Sequence, residues 1–127
     1  MPPEDHAPSI GDRLRVEHML KSARDAVQIL GSLDAEMLAG DMVRTRALVN
    51  CFTEIGEAAS RLSPAGRARA GDLPWRQIIG MRNIVVHTYW SIDLSELIKT
   101  VRTDLPPLIA LLETSLARWA PPPAGPA

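Results

Sequence analysis

The sequence predicts an all-α fold, an up-down bundle of four to five helices, on three observations. Apolar residues recur every three or four positions almost throughout, the period of one helix face. No Asn-Gly turn joins runs of alternating apolar and polar residues, so no hairpin is signalled. Asp and Ser stand where such helices would begin, and Gly where they would end. The 127 residues suit one domain. Aromatic residues make up only 4% of the chain, so the core must rest on Leu, Ile, Val, Ala and Met.

Taken in order, residues 1–8 are acidic and Pro-rich, lack the apolar run of a signal peptide, and are expected to be flexible. The domain is expected to span 9–119. A first amphipathic helix starts near Ser9 or Asp12, carries Leu14, Leu20, Ala23, Val27 and Leu30 on its apolar stripe, and ends near Gly31. Asp34 is placed to cap a short helix behind which Met37 sits, and Asp41 to cap the next. That helix shows Val43, Leu48, Cys51, Phe52, Ile55, Ala59 and Leu62 as its stripe. Ser63-Pro64 opens a short Arg-rich helix that ends at Gly71. Asp72-Leu73-Pro74-Trp75 opens another. Its Ile84-Val85-Val86 run has β-propensity, which tertiary context is expected to override. Asp93 caps the last helix, which Pro106-Pro107 must interrupt or kink because proline lacks the N–H and crowds the preceding turn. Residues 120–127 form a Pro-rich tail expected to be disordered.

Composition narrows the chemistry. Cys51 is the only cysteine, so neither an intrachain disulfide nor a CxxC zinc site can form. His6 and His18 stand apart from any acidic cluster, so no metal site is expected. No apolar run reaches the ~20 residues of a membrane helix, and the expectation is a soluble cytoplasmic protein. The formal net charge of −1 hides an asymmetry. The middle third carries seven arginines (Arg44, Arg46, Arg61, Arg67, Arg69, Arg76 and Arg82) against three acids. Arginine is the better fork for phosphate, so a basic face beside the motif below is one reading; ordinary solvated helix surface is the other.

The chemically distinctive segment is Gly80–Tyr89, where Arg82, His87 and Tyr89 stand in the pattern R-x4-H-x-Y beside Asn83. A permanent cation and a side chain that exchanges protons near neutrality suffice for metal-free cleavage of RNA. His87 would move the proton of a ribose 2′-OH or of the leaving 5′-oxygen, and Arg82 would hold the charge that builds on the phosphoryl oxygens. Asn83 could orient either group. Arg82 and Tyr89 share a helix face, but His87 lies five positions from Arg82, roughly 140° round the axis. Either the helix ends near His87, or two copies pair across a two-fold axis; the second is preferred, because one self-complementary interface combines two motifs. Taken singly, each residue also has an ordinary structural use: a surface ion pair, a helix-end histidine, a core tyrosine.

Several separated motifs agree in order and spacing: Ile55-Gly56-Glu57-Ala58-Ala59, Leu73-Pro74-Trp75, Ile79-Gly80-Met81-Arg82-Asn83, His87-Thr88-Tyr89 and Ile92-Asp93. Together they closely resemble the HepT-like ribonucleases of the HEPN superfamily, across about Arg44 to Leu112. The resemblance implies the toxin of a bacterial toxin–antitoxin module, with Arg82 and His87 as the ribonuclease site at a homodimer interface. It also implies an MntA-like nucleotidyltransferase antitoxin that transfers AMP from ATP, with Mg²⁺, to Tyr89. This chain has no phosphate-binding Gly loop and needs no cofactor of its own. An AMP on Tyr89 would place a phosphate on the face shared with Arg82. Gly56, costly in mid-helix by roughly 1 kcal/mol relative to Ala, suggests a close helix approach. Glu57 is either a support for Arg82 or a plain surface carboxylate. The competing functional readings are a non-catalytic HEPN subunit that binds nucleotide or a nucleotidyltransferase, and a structural bundle without either property.

Overall fold

The computed structural model of the chain describes residues 10–88 and 93–119, without the side chains of Ile10 and residues 85–88. The flexible start foreseen for 1–8, the tail 120–127, Ile92 and Tyr89 lie outside the described residues. The described chain is helical, without strands: α1 (Ile10–Leu30), α2 (Ala35–Ala39), α3 (Met42–Ser60), α4 (Pro64–Ala70) and α5 (Trp75–Thr88) are followed by one long run. That run consists of α6 (Leu94–Lys99), a π-helical turn (Thr100–Asp104) and α7 (Leu105–Trp119). Six helical rods thus form the expected all-α bundle among the described residues.

The starts of these helices follow from short side chains that satisfy otherwise unpaired N–H groups. Asp34 accepts from the Met37 amide at 2.8 Å, and Asp41 from the Arg44 amide at 3.0 Å. Ser63 Oγ accepts from the Gly66 amide at 3.0 Å, and Asp93 from the Glu96 amide at 3.1 Å. Each such cap contributes about 1 kcal/mol. At the other ends, α1 stops at Gly31 (φ 54°) and α4 at Gly71 (φ 101°), backbone conformations that side-chain-bearing residues rarely adopt.

The core lies where α1, α3 and the C-terminal run meet. Met19, Leu30, Leu48, Phe52, Ile55 and Leu112 are fully enclosed there, each contributing roughly 1.5–3 kcal/mol by leaving water. α3 sits between α1 and α5, and α7 covers the other flank of α1. This arrangement corrects the expected stripe on α1. Val16, Met19 and Ala26 are buried, while Leu14 and Val27 are 49% and 38% exposed. By the helical step of about 100° per residue, the buried arc runs through Val16, Met19, Ala23 and Ala26, with Leu14 on the opposite side of α1 and Val27 at the margin of the arc. Val43, placed on the α3 stripe, is likewise 80% exposed, because the first turn of that helix faces α2 with Thr45, which is buried and donates its hydroxyl to the Leu38 carbonyl.

Pro106-Pro107 interrupts the last helix as expected, and the interruption takes the form of the π turn. The Leu105 N–H donates five residues back to the Thr100 carbonyl, so the backbone widens just before the two rings arrive. Lys99, Thr100 and Leu105 all keep right-handed helical angles, and the rod continues to Trp119. The β-branched run at 84–86 is helical in its backbone, as foreseen.

Candidate active site

The motif helix α5 packs on α3, and the closest approach falls at Gly56. A Cβ built there would stand 2.8 Å from both Cβ and backbone N of Arg82, and 3.0 Å from the Ile79 carbonyl oxygen. Glycine is required at this crossing because two backbones meet. One residue further on, Glu57 Oε1 accepts a charge-assisted hydrogen bond from Arg82 Nη1 at 3.1 Å. The mid-helix glycine and the adjacent acid therefore act as one device: the first lets α5 approach, and the second fixes the guanidinium of Arg82.

Arg82 is half-buried, its side chain 38% exposed. Of the five N–H donors of a guanidinium, one is held by Glu57, and the rim position leaves others within reach of solvent. The second oxygen of Glu57 lies 3.9 Å from Nη2 of Arg61, so one carboxylate faces two arginines and local charge stays positive. A fixed, partly desolvated guanidinium of this kind can hold phosphoryl oxygens through paired donors. Asn83, next along α5, is exposed.

His87 occupies the last turn of α5, which stays helical through Thr88. The helix thus ends one residue past His87, and both arrangements open to Arg82 and His87, a helix end near the histidine and a paired second copy, stay compatible with it. Only the backbone of His87 is described, and Tyr89 lies outside the described residues, so neither side chain is located relative to Arg82. Among the described residues, no group of His, Cys, Asp or Glu is arranged to hold a metal ion. No described helix is long and apolar enough to cross a membrane. Burial pushes the Cys51 thiol up to about 11, so it is protonated at neutral pH and makes a poor nucleophile.

Trp75 is partly buried against the core at the start of α5, with the Arg67 guanidinium 5.6 Å from its ring centre. It is an anchor of the helix start. Two features escaped the sequence reading. Asp12, 1% exposed, accepts from the Ser63 amide at 2.9 Å and the Ser63 hydroxyl at 2.6 Å, tying α1 to the start of α4. Its only sequence signal was an acid in a first helical turn. The other is an open groove between α1 and α3 that begins at Glu57 and Arg61; the exposed Leu14 and His18 on one α1 face were its available signal.

Residues 19–115 match the family model described as Ribonuclease HepT-like. A candidate RNase of Methanocaldococcus jannaschii is 30% identical over 88 residues, covering 69% of this chain and 81% of that protein. A candidate RNase of Caldanaerobacter subterraneus subsp. tengcongensis is 29% identical over 93 residues, 73% of this chain and 83% of that protein. A Thermococcus cleftensis protein named a probable ribonuclease HepT is 26% identical over 93 residues, 70% of this chain and 84% of that one. No solved structure matches the chain.

Proposed function

Because the chain belongs to the HepT-like ribonuclease family, we propose that it is an endoribonuclease that cleaves RNA at Arg82 and His87 without a metal. The observation that carries this reading is the Arg82 guanidinium, seated against Gly56, held by Glu57 and still open to solvent at the rim. In the proposed reaction the imidazole of His87 takes the proton of a ribose 2′-OH, and that oxygen attacks the adjacent phosphorus. The bond from phosphorus to the 5′-oxygen breaks, and the leaving oxygen takes up a proton. Arg82 binds the non-bridging oxygens as their charge grows, while Asn83 orients the attacking or the leaving oxygen. The products are a 2′,3′-cyclic phosphate and a 5′-hydroxyl, and DNA is not a substrate because it lacks the 2′-OH.

The complete site is proposed to form at a homodimer interface built on α5. That helix continues through Thr88, so positions 82 and 87 lie roughly 140° apart on its surface by the helical period. A two-fold axis beside α5 brings Arg82 of one protomer toward His87 of the other, which a single straight helix does not do. In the cell the protein acts as the toxin of a toxin–antitoxin pair. A minimal nucleotidyltransferase of the MntA kind, using ATP and Mg²⁺, silences it by placing AMP on Tyr89, two residues beyond the histidine.

The test is incubation of purified, unmodified protein with total RNA in EDTA, beside His87→Ala and Arg82→Ala. The expected result is fragments ending in cyclic phosphate from the parent and none from either folded variant. No cleavage by a protein whose intact mass shows a bare Tyr89, or equal cleavage by all three, overturns the reading. Tyr89→Phe should stay toxic and escape the antitoxin.

A further inference from the structure

The groove between α1 and α3 has a volume of about 660 Å³ and shares Glu57 with the Arg82 pair. The carboxylate that holds Arg82 thus forms part of its wall. Its mouth is cationic. Arg61 is 68% exposed, and its nearest carboxylate oxygen, on Glu57, is 3.9 Å away and already bonded through its twin to Arg82. Arg15 reaches the edge of Asp12 only at 3.9 Å, while Asp12 is engaged by the amide and hydroxyl of Ser63. His18 is exposed on the same wall. Leu14, 49% exposed, and Ala58 give the same groove apolar surface.

The far end of the groove has the opposite character. Lys21 is bound at 2.9 Å by Asp25, and Glu54 accepts from the Ser22 hydroxyl at 2.7 Å and from the Asn50 amide at 2.9 Å. Two carboxylates and a neutralised lysine repel a phosphate. A polyanion that enters at Arg61 meets cations first, then apolar surface, then acid.

We propose that this groove binds one nucleotide of the RNA adjoining the scissile phosphate, with its phosphate on Arg61 and Arg15 and its base against Leu14 and Ala58. The inference rests on the ribonuclease reading of Arg82 and names the substrate length that reading favours: a single strand with one flanking nucleotide, because the acidic end stops a second phosphate. Single-stranded RNA is the form that can unstack a base into such a groove. Arg61 and Arg15 are then substrate-binding residues for the flanking unit, and the cleavage step itself stays with Arg82 and His87.

The test compares Arg61→Gln and Arg15→Gln with the parent on two substrates, an RNA dinucleotide with only the scissile phosphate and a longer single-stranded oligomer. Each variant is expected to lose about tenfold in kcat/KM on the oligomer, the loss falling in KM, and far less on the dinucleotide. Equal losses on both substrates overturn the proposal, since they would make Arg61 a positioning residue acting through Glu57. A second measurement does not depend on turnover. Binding of the oligomer to His87→Ala protein should show a log–log salt dependence that flattens by about 0.7 for each arginine removed. If the parent cuts no RNA but this flattening appears, the ribonuclease reading fails and the binding site stands. An unchanged salt dependence overturns the site. So does unchanged RNA binding together with lost silencing by the antitoxin, which assigns the groove to the protein partner.

Discussion

Two places in this molecule are built from the same parts, a helical glycine with a charged side chain pressed against it. At the α1–α4 contact a Cβ on Gly66 would fall 2.5 Å from the carboxylate carbon of Asp12, and at the α3–α5 crossing a Cβ on Gly56 would fall 2.8 Å from Arg82. Their charges are treated in opposite ways. Asp12 is 1% exposed and accepts from an amide and a hydroxyl of Ser63. A carboxylate enclosed and bonded in this way has nothing to offer a ligand, and its work is to join α1 to the start of α4. Arg82 is 38% exposed, held at one nitrogen, and next to a second arginine that shares its counter-ion. Burial with saturated hydrogen bonds makes Asp12 a structural charge, whereas partial burial leaves Arg82 able to take the ligand proposed for it.

The largest expected effect breaks the structural half of that comparison. Asp12→Ala strands the Ser63 amide and hydroxyl that the carboxylate now accepts from, and should cost about 3 kcal/mol. The thermal midpoint of unfolding should fall by at least about 10 °C, read by circular dichroism, while cleavage per folded molecule at low temperature stays at the parent value. A stable variant that has lost cleavage would place Asp12 among the functional charges and undo the distinction.

Next in size is the matched glycine pair. Gly56→Ala drives a methyl into the backbone of Arg82 and the Ile79 carbonyl, neither of which can swing aside. The helices must part, at a cost of about 2 kcal/mol, and Arg82 moves with α5. Gly66→Ala presses on Asp12 instead, with a stability loss of similar size. Cleavage by the folded fraction should fall tenfold or more for Gly56→Ala and hold for Gly66→Ala. Equal retention of cleavage in both would mean that the position of Arg82 tolerates a parted crossing.

Much of this layout could be read before the fold was known, and the rest could not for identifiable reasons. Asp34, Asp41, Ser63 and Asp93 announce helix starts because a cap is a contact between residues three apart. Gly56 beside Glu57 could be read as a close crossing because glycine in mid-helix is otherwise a cost. The face of α1 was misjudged at Leu14 and Val27, since periodicity gives an apolar arc but not which part of it the neighbours leave open. Asp12 was hidden because its partner is 51 positions away. The two prolines pointed to an interruption, but a widened turn in a continuous rod depends on what the Thr100 carbonyl can still reach.

The smallest change in stability comes with the sharpest test of the functional half. Glu57→Gln removes the charge opposite Arg82 but keeps a side chain of the same length. The pair is half-exposed, so the loss of stability should stay below about 1 kcal/mol, well short of that for Asp12→Ala. The consequence should appear in the kinetics. With Glu57 neutral, the guanidinium is less firmly held, and kcat should drop about tenfold. If Arg82 holds RNA as proposed, the counter-ion that competes for it is also gone, so KM should fall or hold steady, the pattern of a residue that positions another. The rate should still depend on the protonation of His87 as in the parent, because Glu57 acts through the arginine. A rise in KM with kcat unchanged would instead make Glu57 part of the RNA-binding surface. A loss of stability as large as that of Asp12→Ala would make the Glu57–Arg82 pair a second structural anchor, and the two glycine crossings would then differ in exposure but not in purpose.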